Sequence, residues 1–312
     1  MQPAPFHALP GDPPRDARCF WLRADDGIAL RAAHWPSREG RGTVLLMQGR
    51  TEYLEKYARV ADDLNRAGLD VLSIDWRGQG LSDRLIDDGR ASHIPDFADY
   101  QCDVVEMVVA AQALHLPRPW FLLAHSMGAA IGLAALIDGL PVERVAFSAP
   151  MWNINLSPAK AGFARAVTTL ARRLGQGRRY VPASGGTESF ILASSFNQNL
   201  LTTDGATWGR MVAETCAWPE MMLGGVTHDW LHAALRECDR LAALPSPDLP
   251  ALILLGSREA VVSPAAIHKR VNAWPSATLM ALDGARHEPL MERQALRQRA
   301  MQGVIDHFLA QP

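Results

Sequence analysis

The sequence predicts an α/β fold: a mostly parallel sheet with helices on both faces, interrupted by a helical insertion. Three observations point there. Short, continuous apolar runs of strand length alternate with longer stretches whose apolar residues recur at helical spacing. Loops containing glycine follow several of those runs. Between Pro150 and about Pro245 the alternation stops, and it resumes at Ala251. Such alternation implies right-handed crossovers, a sheet covered on both faces, and ligand binding at the carboxyl ends of the strands.

Residues 1–17 are proline-rich and lack both the basic start and the apolar core of a targeting signal, so they read as a loose N-terminal tail. Residues 19–23 and 28–35 are strand-like runs around Asp26-Gly27, a hairpin that opens the sheet with antiparallel pairing. The run Thr43–Met47 reads as a buried strand. It is followed by a helix over 52–68, whose apolar positions Tyr53, Leu54, Tyr57, Val60, Ala61 and Leu64 share one face and which ends at Gly68. A strand over 69–74, the glycine-rich loop after Asp75, and a long helix over 96–115 come next. Trp120–His125 is a strand, 127–138 a helix of small residues, and 142–148 another strand. After the insertion, 251–255 and Ala277–Leu282 are strands, 264–273 is a helix, and 289–309 is the final helix. These readings divide the chain into a tail (1–17), a first core part (18–149), a helical cap (150–245) and a second core part (246–312).

Chemistry concentrates at three of the strand ends. At Ala124-His125-Ser126-Met127-Gly128 the chain matches, in all but the first glycine, the G-x-S-x-G elbow at which the α/β-hydrolases expose a nucleophilic serine between strand and helix. The flanking positions must be small where helix crosses strand, and Ala124 and Gly128 are. A serine hydroxyl is a weak nucleophile near neutral pH, so it needs a base within hydrogen-bond reach and an acid to orient that base. Two later loops at strand ends offer them: Glu259, just past 251–255, and His287, just past Ala277–Leu282. The order Ser126, Glu259, His287 is that of α/β-hydrolases. Asp283 and Asp75 are the rival acids, and His125, although next to the serine, points elsewhere by the geometry of the turn. An oxyanion hole needs two backbone N–H groups. Met127, the residue after the nucleophile, supplies one. The loop Gln48-Gly49-Arg50-Thr51-Glu52 supplies the other, assigned to the Arg50 amide, with Gly49 letting the backbone approach the substrate.

Composition narrows the remaining classes. A formal net charge of −2 leaves no overall basic footprint for nucleic acid. Cys19, Cys102, Cys216 and Cys238 are scattered without metal-binding or disulfide-framework spacing, which favours reduced thiols and a cytoplasmic location. No apolar run is long enough to cross a bilayer. No metal or cofactor is required by the proposed chemistry. From Ser157 to Thr187 there is no acidic residue, whereas Lys160, Arg165, Arg172, Arg173, Arg178 and Arg179 are basic and are interleaved with Phe163, Val167, Leu170 and Leu174. Such a helix is suited to rest on an anionic membrane surface or attract phosphate head groups, or to close an acyl pocket with its apolar side.

The motifs QGRTEYLEKY from Gln48, DWRGQGLSDR from Asp75, AHSMGA from Ala124, SAPMW from Ser148, LLTTD from Leu200, LGGVTHDWLHAA from Leu223, LLGSREAVVSP from Leu254 and GARHEPLME from Gly284 resemble those of the bacterial lysophospholipase L2 group and the related monoacylglycerol lipases, cap-bearing α/β-hydrolases. The resemblance runs along nearly the whole chain beyond the tail. It implies cleavage of single-chain lipid esters by a triad of Ser126, Glu259 and His287. Three positions depart from the family pattern: Gln48 stands where His is usual, Ala124 where Gly is usual, and Glu259 where Asp is usual. The resulting expectation is a serine carboxylester hydrolase acting on lysophospholipid or monoacylglycerol through an acyl-enzyme. The alternatives are a peptidase or other small-molecule hydrolase on the same scaffold, since fold and triad do not fix the leaving group, and a non-catalytic binding protein of that fold.

Overall fold

The core of the fold follows from strands that are apolar on both sides. In the computed structural model, which describes every residue except 11, 13–15, 183, 311 and 312, nine strands form one sheet among the described residues: β1 (Gln2–Pro3), β2 (Arg18–Arg23), β3 (Ala29–Trp35), β4 (Thr43–Met47), β5 (Asp70–Ile74), β6 (Trp120–His125), β7 (Arg144–Ser148), β8 (Ala251–Gly256) and β9 (Ala277–Leu282). Their spatial order is β1-β2-β3-β5-β4-β6-β7-β8-β9. The first three strands pair antiparallel, β3 meets β5 antiparallel, and every pair from β5 to β9 is parallel.

Along β4 and β6 successive side chains point to opposite faces. Leu45, Met47, Leu122 and Ala124 enter one core, and Val44, Leu46, Phe121 and Leu123 enter the other. The helices α1 (Ala58–Arg66), α2 (Asp99–Ala113) and α3 (Met127–Ile137) follow β4, β5 and β6. Met107 of α2 and Ile131 of α3 close the first core, and Val60 and Leu64 of α1 close the second. Each such aliphatic side chain contributes about 1.5–3 kcal/mol when fully buried.

Between β7 and β8 the chain leaves the sheet and forms α4 (Pro158–Arg173), α5 (Phe190–Ala193), α6 (Gly205–Ala217) and α7 (His228–Ala243). Side-chain caps start them: Ser157 accepts from the Lys160 N–H, Asp204 from Ala206 and Thr207, and Thr227 from Trp230. Two arginines of the basic stretch tie α4 to α7, with Arg165 paired to Asp239 at 2.8 Å and Arg172 to Asp229 at 3.0 Å. The chain then returns through β8, α8 (Pro264–Asn272), β9 and α9 (Gln294–Leu309). No helix among the described residues is long and apolar enough to cross a membrane.

Three expectations need correction. The N-terminal segment is not a loose tail: β1 pairs with β2, Phe6 packs edge-on against Trp35, and the Pro5 carbonyl accepts from Arg31; residues 11 and 13–15 lie outside the described residues. The helix expected over 52–68 begins later, as a 3₁₀ turn at Leu54–Tyr57 leading into α1, because Glu52 turns inward to bind the loop before it. The helix expected over 289–309 likewise splits into a 3₁₀ turn, Pro289–Met291, and α9. The break falls at Glu292, whose carboxylate accepts from the Arg286 and Thr203 N–H groups and so holds the backbone extended.

Candidate active site

Ser126 sits where β6 gives way to α3, with φ 50° and ψ −116°. A non-glycine residue in this region is strained, and the strain is held by the neighbouring strand and the loop after it: the Ser126 N–H donates to the Ser148 carbonyl, and the Ser126 carbonyl accepts from Met151. The turn also needs a close helix–strand approach. A side chain at Gly128 would collide with the carbonyls of Met47 and Gln48. Ala124 is tolerated because it faces Gly132 of α3, where there is no side chain to meet its methyl group.

The other two residues come from the loops after β8 and β9. His287 Nε2 lies 2.9 Å from Ser126 Oγ, and His287 Nδ1 lies 2.8 Å from Glu259 Oε2. Glu259 reaches this position because its loop and the histidine loop approach backbone to backbone: a Cβ on Gly256 would strike the Ala285 and Arg286 carbonyls. The second oxygen of Glu259 accepts from the Val261 and Val262 N–H groups at 2.6 and 3.0 Å. Burial pushes this carboxyl up, but the hydrogen bond and charge of His287 and the two backbone donors outweigh it, so its pKa is lowered. The rival acids are elsewhere. Asp283 is exposed and accepts from Ser257 Oγ, and Asp75 is buried in a network with Arg31, Gln48 and the Leu54 and Leu81 N–H groups. Glu259→Gln is therefore expected to lower kcat on the order of 10⁴-fold, as an amide would hold the imidazole in the wrong tautomer. Asp283→Asn should leave kcat within about twofold; the reverse pattern in steady-state kinetics would move the acid to Asp283.

The loop after β4 lies across from the serine. Neither the Arg50 N–H nor the Met127 N–H donates to another group among the described residues. Gln48, in place of the family's histidine, donates to the Ile74 carbonyl at 2.9 Å and to Asp75 at 3.1 Å, which pins the loop to the end of β5.

A buried ionic cluster, not anticipated from sequence, underlies this loop. Glu52 accepts from the Gly49 N–H, from Tyr57 at 2.7 Å and from Lys56 at 2.6 Å, and Lys56 also donates to Glu288 at 2.7 Å. Glu288 follows His287 directly, so the lysine ties the loop after β4 to the histidine loop. Glu52, His125 and Glu288 are close enough to one another to hold a metal ion, but the Lys56 ammonium already supplies the cation between the two carboxylates. Burial pushes Glu52 up, and the charge of Lys56 with the hydrogen bonds from Lys56 and Tyr57 brings it down below the usual carboxylate range; for Glu288 burial prevails and its pKa is raised. His125 turns away from Ser126 Oγ and donates from Nδ1 to the Ser148 carbonyl at 3.0 Å. Burial lowers its pKa to about 4, against the opposing pull of Glu52, so the ring is neutral near pH 7. The only hint in the sequence was the spacing of Glu52 and Lys56, four residues apart, which ordinarily marks an exposed helical pair.

Ser126, His125 and His287 open on a cavity of about 220 Å³ walled by Phe190, Ile191, Leu200, Leu201, Met211, Met222, Leu223 and Val261. No residue of α4 lines it. Phe163, Leu170 and Leu174 instead face outward and are 72%, 58% and 65% exposed, which corrects the expectation that the apolar side of this helix closes an acyl pocket.

Comparison with known proteins accords with this architecture. The sequence model of the family described as "Serine aminopeptidase, S33" matches residues 38–294. The chain is 30% identical over 285 residues to the probable lysophospholipase L2 of Haemophilus influenzae, covering 90% of this chain and 88% of that protein. It is 29% identical over 309 residues to lysophospholipase L2 of Escherichia coli strain K12, covering 93% and 88%. A soluble variant of monoglyceride lipase from Saccharomyces cerevisiae, solved with a substrate analogue, shares the fold with a TM-score of 0.75 at 18% identity, covering 97% of this chain and 99% of that one. The chain belongs to the serine aminopeptidase S33 family, in the group of α/β-hydrolase carboxylic ester hydrolases that includes lysophospholipase L2 and the monoacylglycerol lipases.

Proposed function

We propose that the chain hydrolyses single-chain lipid esters, lysophospholipid or monoacylglycerol, through an acyl-enzyme on Ser126. The observation that carries this reading is the continuous hydrogen-bonded series Ser126–His287–Glu259 opening into an apolar-walled cavity. Ser126 Oγ attacks the ester carbonyl carbon while its proton passes to His287 Nε2, and Glu259 holds the imidazolium from Nδ1. The oxygen that gains charge accepts from the Arg50 and Met127 N–H groups. Collapse expels the alcohol, which takes the proton from His287. Water then attacks the acyl-serine with the same base, releasing the fatty acid and restoring the hydroxyl. The apolar wall suits an acyl chain, and the relatives named for lysophospholipid and monoglyceride hydrolysis support the substrate class.

The exposed apolar stripe of α4, with Lys160 and Arg173 exposed on the same helix, supports a further part of the reading: this face rests on an anionic lipid surface from which substrate is taken. One panel tests both parts. Lysophospholipid, monoacylglycerol and an aminoacyl-naphthylamide are offered to the enzyme, the lipids in neutral micelles and in anionic vesicles. Both lipids should be turned over, faster from anionic vesicles, and the amide should not. Turnover of the amide alone would make the chain a peptidase. No turnover, together with no labelling by a fluorophosphonate, would make it a binding protein. Equal rates from the two lipid presentations would remove the surface contact.

A further inference from the structure

Arg50 lines the cavity that holds Ser126, and its half-buried side chain differs from those of Arg31, Lys56 and Arg77. Arg31 is paired with Glu55 and Asp75, Lys56 with Glu52 and Glu288, and Arg77 with Asp26 and Asp103. The Arg50 guanidinium has no carboxylate partner among the described residues. Its Nη1 donates to Ser92 Oγ at 2.9 Å and to the Gly224 carbonyl at 3.3 Å, and its Cζ lies 5.5 Å from the centre of the Trp230 ring. These contacts fix the planar group in place, while Nε and Nη2 keep their N–H groups without an acceptor among the described residues. Neither atom is sealed in the interior, so that edge of the guanidinium is accessible. Burial lowers its pKa to about 10, which still leaves it charged near pH 7. A guanidinium fixed in this way, with accessible N–H groups left free, is a good receptor for an anion, above all for the forked oxygens of a phosphate. The two carboxylates of the same cavity, Glu52 and Glu288, are already engaged by Lys56.

We propose that the Arg50 side chain receives the phosphate of a single-chain glycerophospholipid and so selects phosphate-bearing esters over uncharged monoacylglycerols. This rests on the esterase reading given above, in which the Arg50 backbone N–H meets the acyl carbonyl oxygen.

The test compares lysophosphatidylglycerol with monoacylglycerol of the same acyl chain in the wild type, Arg50→Met and Arg50→Lys. The readout is the ratio of the two kcat/KM values in each protein, because changes in the backbone loop affect both substrates together. Arg50→Met should lower the ratio about 10- to 100-fold, the worth of one or two charge-assisted hydrogen bonds, mainly through KM. Arg50→Lys should restore part of it, since the charge returns without the fork. Glycerol 3-phosphate should compete with a p-nitrophenyl ester in the wild type, more strongly than glycerol and more strongly than inorganic phosphate. An unchanged ratio in the variants would overturn the proposal. If Arg50→Met does not fold, equal inhibition of the wild type by glycerol and glycerol 3-phosphate overturns it instead. Absence of turnover of both lipids by the wild type is a different result, which removes the esterase reading itself.

Discussion

Ser126→Ala is expected to lower kcat on a p-nitrophenyl ester by on the order of 10⁶-fold, the size of loss seen when the nucleophile of a serine hydrolase is deleted. The reason lies in the geometry. His287 Nε2 is 2.9 Å from Ser126 Oγ, and Glu259 holds the far side of the ring, which is the arrangement that the proposed proton transfer needs. Without the hydroxyl, the base has no nucleophile to activate. What remains, roughly 10³–10⁴ over the uncatalysed rate, would come from the oxyanion donors and from binding. The variant should also lose fluorophosphonate labelling while keeping the wild-type thermal unfolding curve to within a few degrees, because Oγ contributes no hydrogen bond to the fold beyond the one to His287. Wild-type turnover in Ser126→Ala would sink the assignment of Ser126 as nucleophile.

Lys56→Met is expected to cost about 3–5 kcal/mol of stability near pH 7.5, a loss typical of removing one partner from a buried ionic group. The lysine side chain is 9% exposed, and the Glu52 and Glu288 side chains are 5% and 4% exposed, so solvent would screen little of the repulsion left behind. The cost should depend on pH in a definite direction. In the variant both carboxyls lose their cation, and burial and mutual repulsion raise their folded-state pKa values above the unfolded value of about 4.3. A raised carboxyl binds its proton more readily in the folded state, so stability falls as pH rises through the folded-state values and is regained on acidification. Urea denaturation at pH 5.5 and pH 7.5 should show a smaller deficit at the lower pH. The loop after β4 should loosen as well, because Glu52 both receives Lys56 and fixes the Gly49 N–H, with kcat falling by about 10²-fold. A deficit below about 1 kcal/mol, or one that does not change with pH, would show that the cluster is not the ionic link between the two loops described here.

The same cluster shows where a reading of sequence stops. Glu52 and Lys56 stand four residues apart, a pattern that usually decorates the exposed face of a helix, and Glu288 looks like a solvated neighbour of His287. Their burial depends on the loops after β4 and β9 meeting over the carboxyl ends of the strands, which no local pattern reports. The helix starts expected at 52 and 289 are displaced as well: inward-turned Glu52 fixes the Gly49 N–H of the loop before it, and Glu292 accepts from the distant Thr203 N–H, each holding the backbone out of helix.

The sequence by itself determined the central strands, because Thr43–Met47 and Trp120–His125 run without interruption through the interior of a parallel sheet and leave continuous apolar runs. It also determined the candidate triad, since a small-residue elbow and two loops after later strands stand in one order along the chain. Only the tertiary structure shows that Glu259 faces His287 and Asp283 does not, through the approach of backbones at Gly256 that aims one carboxylate at the ring and leaves the other exposed. Only the tertiary structure turned the apolar stripe of α4 outward, because other residues, among them Phe190, Ile191, Leu200, Leu201, Met222 and Leu223, form the wall of the cavity. In each case the deciding contact joins residues far apart in the chain, and its free energy exists only once the sheet has brought them together.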